Sequence, residues 1–469
     1  MLENYVRNYW SLYVDFLKDF SSLTYRGFTL SYILHFSSLI RHHDQIWEDL
    51  NDEKFQHRLK TNIKHEREVQ EIFNQYLQKH NKKTDKKICD GKVAIFEDAI
   101  LHFPHDTFAH YFKRSNTIIL LNSDHQKTKY KYGIPVVNLF ELHSDTKQAI
   151  LKLQSEAKLI FKYHHSHHLY RDLKFRKLFL KKIADVVQCI ERCKLLLETI
   201  PISCIVVSNT HSYISRILSL AAMEKGIPTI SMQHGIIANG FGYLPKICNI
   251  NAVYGNFEVE WYTSRGISRD SLAIIGHPRF DQIFSYPSMS RSKFHQQLGL
   301  DNDKKTLLIV VRGNRDMMKW RTFINAIVKQ LDVNIVIRDF PNMEPHLLTE
   351  EFPFVQSTRT IHLYDILSNV DYVISYQSTV GLEAMLFHKP VFILKRRVPN
   401  DTGYFDMLDE FVQKDPIKLA EMVVKYVNNP SFRKHQSEKI KTFIQHAYLD
   451  RSMSGLRLKR LIDKLTKKI

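Results

Sequence analysis

Residues 372–384 read YVISYQSTVGLEA, and residues 228–235 read PTISMQHG. In each stretch an apolar run with strand character ends in small or polar residues. Open α/β sheets build their ligand crevices at such strand ends. Because the two stretches lie far apart in the chain, they predict two sheets, each forming one wall of a cleft.

Strand-like apolar runs and helical patterns alternate on both sides of these junctions. The strand-like runs fall at 93–96, 117–121, 135–139, 204–207, 229–232, 252–254 and 272–275, and then at 307–311, 333–337, 354–355, 372–375 and 391–394. Strands that alternate with helices indicate parallel sheets. The sequence therefore predicts an α/β protein with two Rossmann-like domains that face a cleft.

Changes in composition place the domain boundaries. Residues 1–88 contain no proline and only Gly27, with apolar residues at helical spacing, so they predict a helical N-terminal extension. Residues 89–284 form the predicted N-terminal domain, with a helical insertion at about 145–199. Residues 285–450 form the predicted C-terminal domain, and 451–469 a basic amphipathic helix. The apolar residues of that last helix are Leu458, Leu461, Ile462 and Leu465.

The net charge of +18 favours an anionic partner. Three classes fit: nucleic acid, an anionic membrane surface and a phosphorylated substrate. The basic residues are spread out and match no nucleic-acid-binding fold, so nucleic acid is disfavoured. The C-terminal helix either lies on an anionic leaflet or packs its leucines on the body of the protein and solvates its lysines.

Several classes of protein are disfavoured by pattern. No stretch approaches about 18 uncharged apolar residues, and the N-terminal residues do not follow the order of a secretory signal, so we expect a cytoplasmic chain. The five cysteines are scattered and odd in number, which predicts buried thiols and not disulfides. The histidines within 164–168 lack the spacing of a metal site and predict a solvated loop.

The first junction offers groups for acid–base chemistry. His234 is expected at the carboxyl end of a strand, where an imidazole could take or give a proton. Gly235 allows a close approach of a ligand to the backbone. The alternative is that His234 bonds loop carbonyls and Gly235 only turns the chain. Further polar candidates for the cleft are Gln233, Asn209, Thr210 and His211.

The second junction has the features of a phosphate site. Ser378, Thr379 and Gly381 open a helix whose free amides and dipole favour an anion, and Glu383 could accept hydrogen bonds from ribose hydroxyls. The alternative is an ordinary helix cap. Other predicted strand ends in this half carry Arg312, Gly313 and Arg338, whose cations could converge on a pyrophosphate.

With these residues the sequence resembles the GT-B glycosyltransferases, and within them bacterial capsule and teichoic-acid-type surface-polysaccharide enzymes. The resemblance covers about residues 200–395 and is carried by 233–235, by GHPRFD at 276–281 and by 371–390. It implies a nucleotide-linked donor in the C-terminal domain and an acceptor in the N-terminal domain. It also implies donor-binding roles for Ser378, Thr379 and Glu383, and an acid, base or phosphate-contacting role for His234.

One position departs from the family pattern. Relatives often carry a basic residue followed by x-His-Pro after the second strand of the donor domain, whereas residues 338–341 read RDFP, with Phe340 at the histidine position. This departure makes a non-catalytic binding protein of the same fold an alternative. The non-hydrolysing UDP-N-acetylglucosamine 2-epimerases share the fold, but they need carboxylates where this chain has 208–210 and then His234 and Gly235.

The sequence therefore predicts a transferase at the inner face of the membrane. It would move a glycosyl or polyol-phosphate unit from a nucleotide donor to a surface-glycan or lipid-linked acceptor. His234 would deprotonate the acceptor hydroxyl, with Asp98 at the end of the first predicted strand as a competing base. The helix start at Ser378 and Thr379, with Arg312 and Arg338, would stabilise the departing phosphate. The scheme requires no metal and no other cofactor.

Overall fold

The computed structural model describes residues 2–81, 90–98, 100–101, 103–125, 128–338, 344–449 and 453–466. Its helices are α1 (Asn4–Asp19), α2 (Leu30–Ile33), α3 (Phe36–Leu39), α4 (Asp44–Asp49), α5 (Glu66–His80), α6 (His105–Tyr111), α7 (Lys147–Tyr163), α8 (Leu173–Thr199), α9 (Tyr213–Glu224), α10 (Asn256–Thr263), α11 (Pro278–Asp281), α12 (Arg291–Leu298), α13 (Met317–Val328), α14 (Leu347–Glu351), α15 (Leu363–Asn369), α16 (Thr379–Leu386), α17 (Pro416–Asn428), α18 (Pro430–Ala447) and α19 (Ser454–Thr466). Short 3-10 turns occupy Glu53–Arg58, Leu139–Glu141, Arg269–Ser271, Gln282–Phe284 and Asp406–Phe411.

The strands are β1 (Thr24–Tyr25), β2 (Phe28–Thr29), β3 (Lys92–Phe96), β4 (Thr117–Leu121), β5 (Tyr130–Lys131), β6 (Ile134–Asn138), β7 (Ile202–Val207), β8 (Thr229–Met232), β9 (Ile250–Val253), β10 (Leu272–Ile274), β11 (Lys305–Val310), β12 (Val333–Arg338), β13 (Val355–Ser357), β14 (Tyr372–Tyr376), β15 (Val391–Leu394) and β16 (Val412–Gln413). Apart from the small β1–β2 hairpin, they form two sheets.

Each large sheet has one point where the strand order reverses. The second sheet runs β13-β12-β11-β14-β15-β16 and is parallel throughout. Its order reverses between β11 and β14, as in a Rossmann fold. The first sheet runs β10-β9-β8-β7-β3-β4-β6-β5, with only the edge strand β5 antiparallel, and reverses between β3 and β7. The predicted fold class is confirmed, and crevices are expected where the order reverses.

The N-terminal helices are part of the first domain's core. Side chains of α1 pack on the helical insertion, with the rings of Phe16 and Phe179 5.8 Å apart. They belong to the same buried cluster as Ile205 and Val207 of β7. The predicted extension therefore covers one face of the first sheet, because this packing removes its aromatic side chains from water.

The C-terminal helix covers the opposite face of the same sheet. Leu458 and Ile462 of α19 are completely buried against β3, β4 and α6. The carboxylate of Asp281 accepts hydrogen bonds from the amides of Ser454 and Gly455, both at 2.9 Å, and so caps the start of the helix. Of the two alternatives, the structure shows packing on the body of the protein.

The loop between α7 and α8 differs from the prediction. His167 stacks on Tyr170 with 3.8 Å between ring centroids, and burial lowers the pKa of His167 to about 3. Burial also lowers the pKa of His168, to about 4. These two imidazoles pack into the protein because neighbouring aromatic rings cover them, so the expectation of a solvated loop is wrong for them.

Two residues that the sequence predictions concern, one cysteine and Phe340, lie outside the described ranges. Cys189, Cys193, Cys204 and Cys248 are buried and free, as expected, whereas Cys89 lies outside the described residues. Phe340, the departure from the family pattern, also lies outside them. Among the helices that the structure describes, none has the length and apolarity needed to cross a membrane.

Candidate active site

The first wall of the cleft is the point where the order of the first sheet reverses. Asp98 follows β3, and Ser208 and Asn209 follow the neighbouring strand β7. One oxygen of Asp98 accepts hydrogen bonds from Ser208 Oγ at 2.5 Å and Asn209 Nδ2 at 3.4 Å. The other accepts from the amides of Ile100 and Leu101 at 2.9 and 3.0 Å. Asp98 therefore joins two strand ends, and these contacts compete with any role as a base.

His234 follows β8 and lies between aromatic rings. Tyr243 stacks on it with 5.0 Å between centroids, and His211 meets it edge-on at 5.2 Å. Burial lowers the pKa of His234 to about 4; the Asp98 carboxylate opposes this shift, and the Arg279 guanidinium adds to it. The imidazole is therefore neutral near pH 7, with one ring nitrogen free to accept a proton.

Gln233 holds the turn that carries His234. Its side-chain oxygen accepts from the amide of Tyr254 at 2.9 Å, and its nitrogen donates to the carbonyl of Gly235 and to Glu258, each at 2.8 Å. Burial raises the pKa of Glu258 to about 7. With all these bonds made inside the protein, Gln233 positions His234 and leaves no group for a ligand.

The two sequence junctions touch each other in the structure. The amide of Ile236 donates to Thr379 Oγ1 at 3.2 Å. A Cβ atom added to Gly235 would lie 3.1 Å from the same oxygen, so a glycine allows this close approach. The turn after β8 and the start of α16 thus form a direct contact between the two halves of the chain.

The start of α16 carries a cap and a buried ion pair. Ser378 Oγ accepts from the amide of Val380 at 3.1 Å, as a helix cap does. Glu383 is 4 % exposed and lies 3.3 Å from Nη2 of Arg279. Burial raises the pKa of Glu383, and the Arg279 charge opposes this shift. Gly381 faces away from the cleft, because an added Cβ would meet Phe405 at 3.3 Å.

The cationic strand ends of the second sheet have different surroundings. Arg338 ends β12 and donates to the carbonyls of Thr358 and Ile361 at 3.1 and 2.9 Å. Its charge also lowers the pKa of Glu383, so it acts on the same site. Arg312 follows β11 and is exposed, and Gly313 has a φ of +53°. The structure therefore holds Arg338 on two carbonyls within electrostatic range of Glu383 and leaves Arg312 exposed to solvent.

Three histidine rings form a row into the first domain. His211 lies between His234 and His35, with 4.9 Å between the centroids of His211 and His35. Nε2 of His211 is buried without a hydrogen-bond partner, and burial lowers its pKa. Thr210 accepts from Arg216 Nε at 2.7 Å through its carbonyl. Because burial keeps His211 neutral, this ring adds no positive charge beside His234.

A cavity of about 300 Å³ lies beside the ion pair and is lined by Phe103, Pro104, Arg279, Gln282, His362, Leu363, Tyr364 and Glu383. Its volume is at the lower end of small-molecule sites. Nε of Arg279 is buried there without a hydrogen-bond partner. A larger cavity of about 660 Å³ along α18 contains none of the predicted site residues.

Sequence reasoning missed the role of Arg279. This residue stands in the GHPRFD stretch, which carries the family resemblance but predicts no role for the arginine, yet its guanidinium faces Glu383 across 104 positions of sequence. A cation four residues after the predicted strand 272–275 was the available signal. His362 and Tyr364 stand in no motif, and only the packing of α15 beside α11 brings them to the cavity.

The arrangement combines a neutral base with a positively charged site that could bind an anion. His234 can accept a proton, while Arg279, Arg338 and the N-terminus of α16 favour a phosphate. Within the described ranges, no group of three or more His, Cys, Asp or Glu side chains is arranged to hold a metal ion.

Comparison with known proteins shows the fold. No family model matches the sequence, and no curated protein matches it. A solved UDP-GlcNAc 2-epimerase from Neisseria meningitidis, bound to UDP-GlcNAc, is similar with 12 % identity and a TM-score of 0.51, over 80 % of this chain and 99 % of that chain. The glycotransferase of kitacinnamycin is similar with 11 % identity and a TM-score of 0.51, over the same shares.

A third solved structure is more distant. The wall teichoic acid polymerase TagF has 14 % identity and a TM-score of 0.46, over 85 % of this chain and 97 % of that chain. This TM-score is too low to carry an argument. At such identities a likeness shows the fold alone. The chain therefore has the GT-B fold that the sequence predicted: two Rossmann-like domains that face a cleft.

Proposed function

We propose that this protein is a transferase that moves a glycosyl or polyol-phosphate unit from a nucleotide-activated donor to a surface-glycan or lipid-linked acceptor. The observation that supports this most is the contact between the His234 turn and Thr379. This contact supports a site in which a neutral imidazole and the N-terminus of α16 lie close together, so that a hydroxyl and a phosphate could meet between them.

The donor would bind on the side of the second sheet. Its phosphates would lie near the N-terminus of α16, where Thr379 and the helix dipole favour negative charge. Arg279 and Arg338 would add cationic donors and stabilise the charge that grows on the departing phosphate. Arg312 would contribute from the rim, and Glu383 would hold Arg279 in place.

The acceptor hydroxyl would lose its proton to His234. With a pKa of about 4, His234 is unprotonated near neutral pH, and the negative charge of a bound donor would raise its basicity. Asp98 stays the competing base, but its four hydrogen bonds favour His234. The scheme needs neither a metal nor another cofactor.

The cellular setting is part of the proposal. The sequence resemblance to capsule and teichoic-acid-type enzymes supports a cytoplasmic protein that works at the inner face of the membrane. Such a position would bring the cleft to a lipid-linked acceptor and leave the nucleotide donor in free solution. Nucleic acid stays disfavoured as a partner, because the sequence carries no nucleic-acid-binding signature.

A nucleotide panel tests the donor site. The unfolding temperature of the full chain is measured with UDP, CDP, CMP and GDP, and one of them is expected to stabilise it. The same nucleotide should stabilise Arg279→Met much less, because that variant lacks the cation nearest the cavity. If no nucleotide stabilises the protein, the donor site is wrong.

Transfer assays with the matching donor test the chemistry. His234→Ala is expected to lose most turnover, since a general base contributes typically 10²–10⁴-fold. Asp98→Ala tests the competing base. If both variants keep the turnover of the wild type, the proposed mechanism is wrong. Nucleotide binding without product from any acceptor would favour the non-catalytic alternative that Phe340 raised.

An epimerase is the second candidate. The Neisseria meningitidis structure with a similar fold is a UDP-GlcNAc 2-epimerase. In addition, Asp98 supplies a carboxylate beside Ser208 and Asn209, where the local sequence has no acid. Incubation of UDP-GlcNAc in D₂O without acceptor separates the two: an epimerase exchanges the C2 proton and forms the epimer, whereas a transferase leaves C2 unchanged.

A further inference from the structure

The outer face of α7 carries a row of exposed apolar side chains. Leu151 is 56 % exposed, Leu159 66 % and Tyr163 82 %. Their spacing of eight and four residues places them on one side of the helix. The opposite side of α7 is buried through Leu153, Ala157 and Phe161. The exposed row therefore does not take part in packing α7 onto the protein.

Lysines surround this row. Lys152, Lys158 and Lys162 are exposed and stand next to the three apolar residues in sequence. Residues 147–182 contain ten lysines and arginines against two acids, Glu156 and Asp172, which leaves +8 of the net charge of +18 in this segment. We call Leu151, Leu159 and Tyr163, with Lys152, Lys158 and Lys162, the α7 face.

The α7 face stands on the cleft side of the first sheet. α7 and α8 form an antiparallel hairpin, in which Gln154 Nε2 donates to the carbonyl of Leu180 at 3.0 Å. The guanidinium of Arg192 lies 4.6 Å over the ring of Phe140, just after the carboxyl end of β6. Since α8 runs back from there to the start of β7, the part of α8 that precedes Arg192 extends roughly 28 Å from that contact, away from the sheet.

We propose that the α7 face binds an anionic bilayer surface. The leucines and the tyrosine would enter the boundary between headgroups and acyl chains, while the lysines meet lipid phosphates. The exposed leucines favour a membrane over nucleic acid, because nucleic acid would bind the lysines and would not need an apolar row. The sequence leaves the C-terminal helix as another possible membrane contact, but α19 packs Leu458 and Ile462 on the body of the protein.

The position of the hairpin would turn the mouth of the cleft toward the bilayer. An acceptor anchored in the membrane could then reach His234 without leaving the lipid. This consequence rests on the proposed function, whereas vesicle binding is measured without a nucleotide, so the two proposals can fail separately.

Vesicle cosedimentation of the full chain tests the α7 face. Phosphatidylcholine vesicles with and without about a third of phosphatidylglycerol are compared for the wild type and three triple variants. The first is Leu151→Ser, Leu159→Ser, Tyr163→Ser, and the second is Lys152→Gln, Lys158→Gln, Lys162→Gln. The control is Met318→Ser, Phe354→Ser, Ile417→Ser, which removes three exposed apolar residues of the second domain.

The wild type and the control are expected to bind the anionic vesicles alike. Loss of three lysines should weaken binding by on the order of 100-fold, at about 1 kcal/mol per lysine near the surface. Loss of the apolar row should weaken it at least about 10-fold. All replaced side chains are exposed, so unchanged unfolding temperatures check the fold.

Three results would overturn the proposal. One is absence of binding to anionic vesicles by the wild type. Another is equal binding by the wild type and both α7 variants. The third is retention on RNA that depends on the lysines while the apolar row has no effect on vesicle binding, which would assign the charge to nucleic acid.

Discussion

Replacement of Arg279 by methionine should destabilise the protein in a pH-dependent way. Nη2 of Arg279 lies 3.3 Å from the Glu383 carboxylate, and their side chains are 26 % and 5 % exposed. At an effective dielectric constant of 20, Coulomb's law gives about 5 kcal/mol for this distance. Desolvation offsets part of it, and loss of one partner of a buried pair costs about 3–5 kcal/mol. Because Arg279 is partly exposed, we expect a loss of about 2–3 kcal/mol at pH 8.

The pH dependence follows from the buried carboxyl. Without Arg279, burial would raise the folded-state pKa of Glu383 further above its unfolded value. A carboxyl with a raised folded pKa contributes stability below the unfolded pKa and loses it as the pH rises. The deficit of the variant should therefore be large at pH 8 and smaller at pH 5. Adding Glu383→Gln removes the unpaired charge and should restore stability to within about 1 kcal/mol of the wild type.

Urea unfolding followed by circular dichroism at pH 5 and pH 8 measures these differences. Arg321→Met is the matched control, because Arg321 pairs with Glu351 at 2.6 Å on the surface, where solvent screens the pair, so this variant should lose far less stability than Arg279→Met. An equal loss for Arg279→Met at both pH values, with no rescue by the second change, would refute the electrostatic account of the site.

Three further perturbations probe other parts of the cleft. Thr379→Val should lower the free energy of unfolding by about 1 kcal/mol and speed amide exchange at Ile236, because it removes the hydroxyl that accepts this amide's hydrogen bond. Thr379→Ser keeps the hydroxyl and should change neither, and hydrogen exchange followed by mass spectrometry measures the difference. Asp281→Ala should lower the free energy of unfolding by about 1–2 kcal/mol and expose α19 to proteolysis, because the two amides at the start of α19 lose their cap. The control Asp463→Asn, within α19 itself, should do neither. His234 has a folded-state pKa of about 4, below its unfolded value, so the free energy of unfolding should fall as the pH drops from about 6.5 to 4. His234→Asn should reduce that fall by on the order of 2 kcal/mol in urea titrations. An unchanged pH profile in this variant would contradict the prediction.

Local patterns were sufficient for the fold. The apolar runs at 229–232 and 372–375 became β8 and β14, and a parallel sheet follows when strands alternate with helices. One run was displaced: 354–355 predicted a strand that the structure places at Val355–Ser357. Such shifts occur because backbone pairing with a neighbouring strand, and not side-chain polarity, sets where a short strand begins.

Contacts within the site depended on residues far apart in sequence. Gln233, Ser378 and Asp98 carried signals as polar residues at strand ends, but their hydrogen bonds show that each holds backbone in place. Arg279 carried no assigned role, although it makes the closest charged contact to Glu383. A sequence pattern places a residue on an element; only the packing of two sheets decides which side chains face each other.

The two amphipathic helices show the same division most clearly. In both α7 and α19 the residue spacing by itself determined a helix, and in α19 also its apolar and basic sides. The tertiary structure decided what each side meets. Asp281 caps α19 and seats Leu458 on the first sheet, whereas no described residue covers Leu159 on the outer side of α7. Helical periodicity is a local property of the backbone, but the burial of a given face depends on whether the rest of the fold presents an apolar surface to receive it.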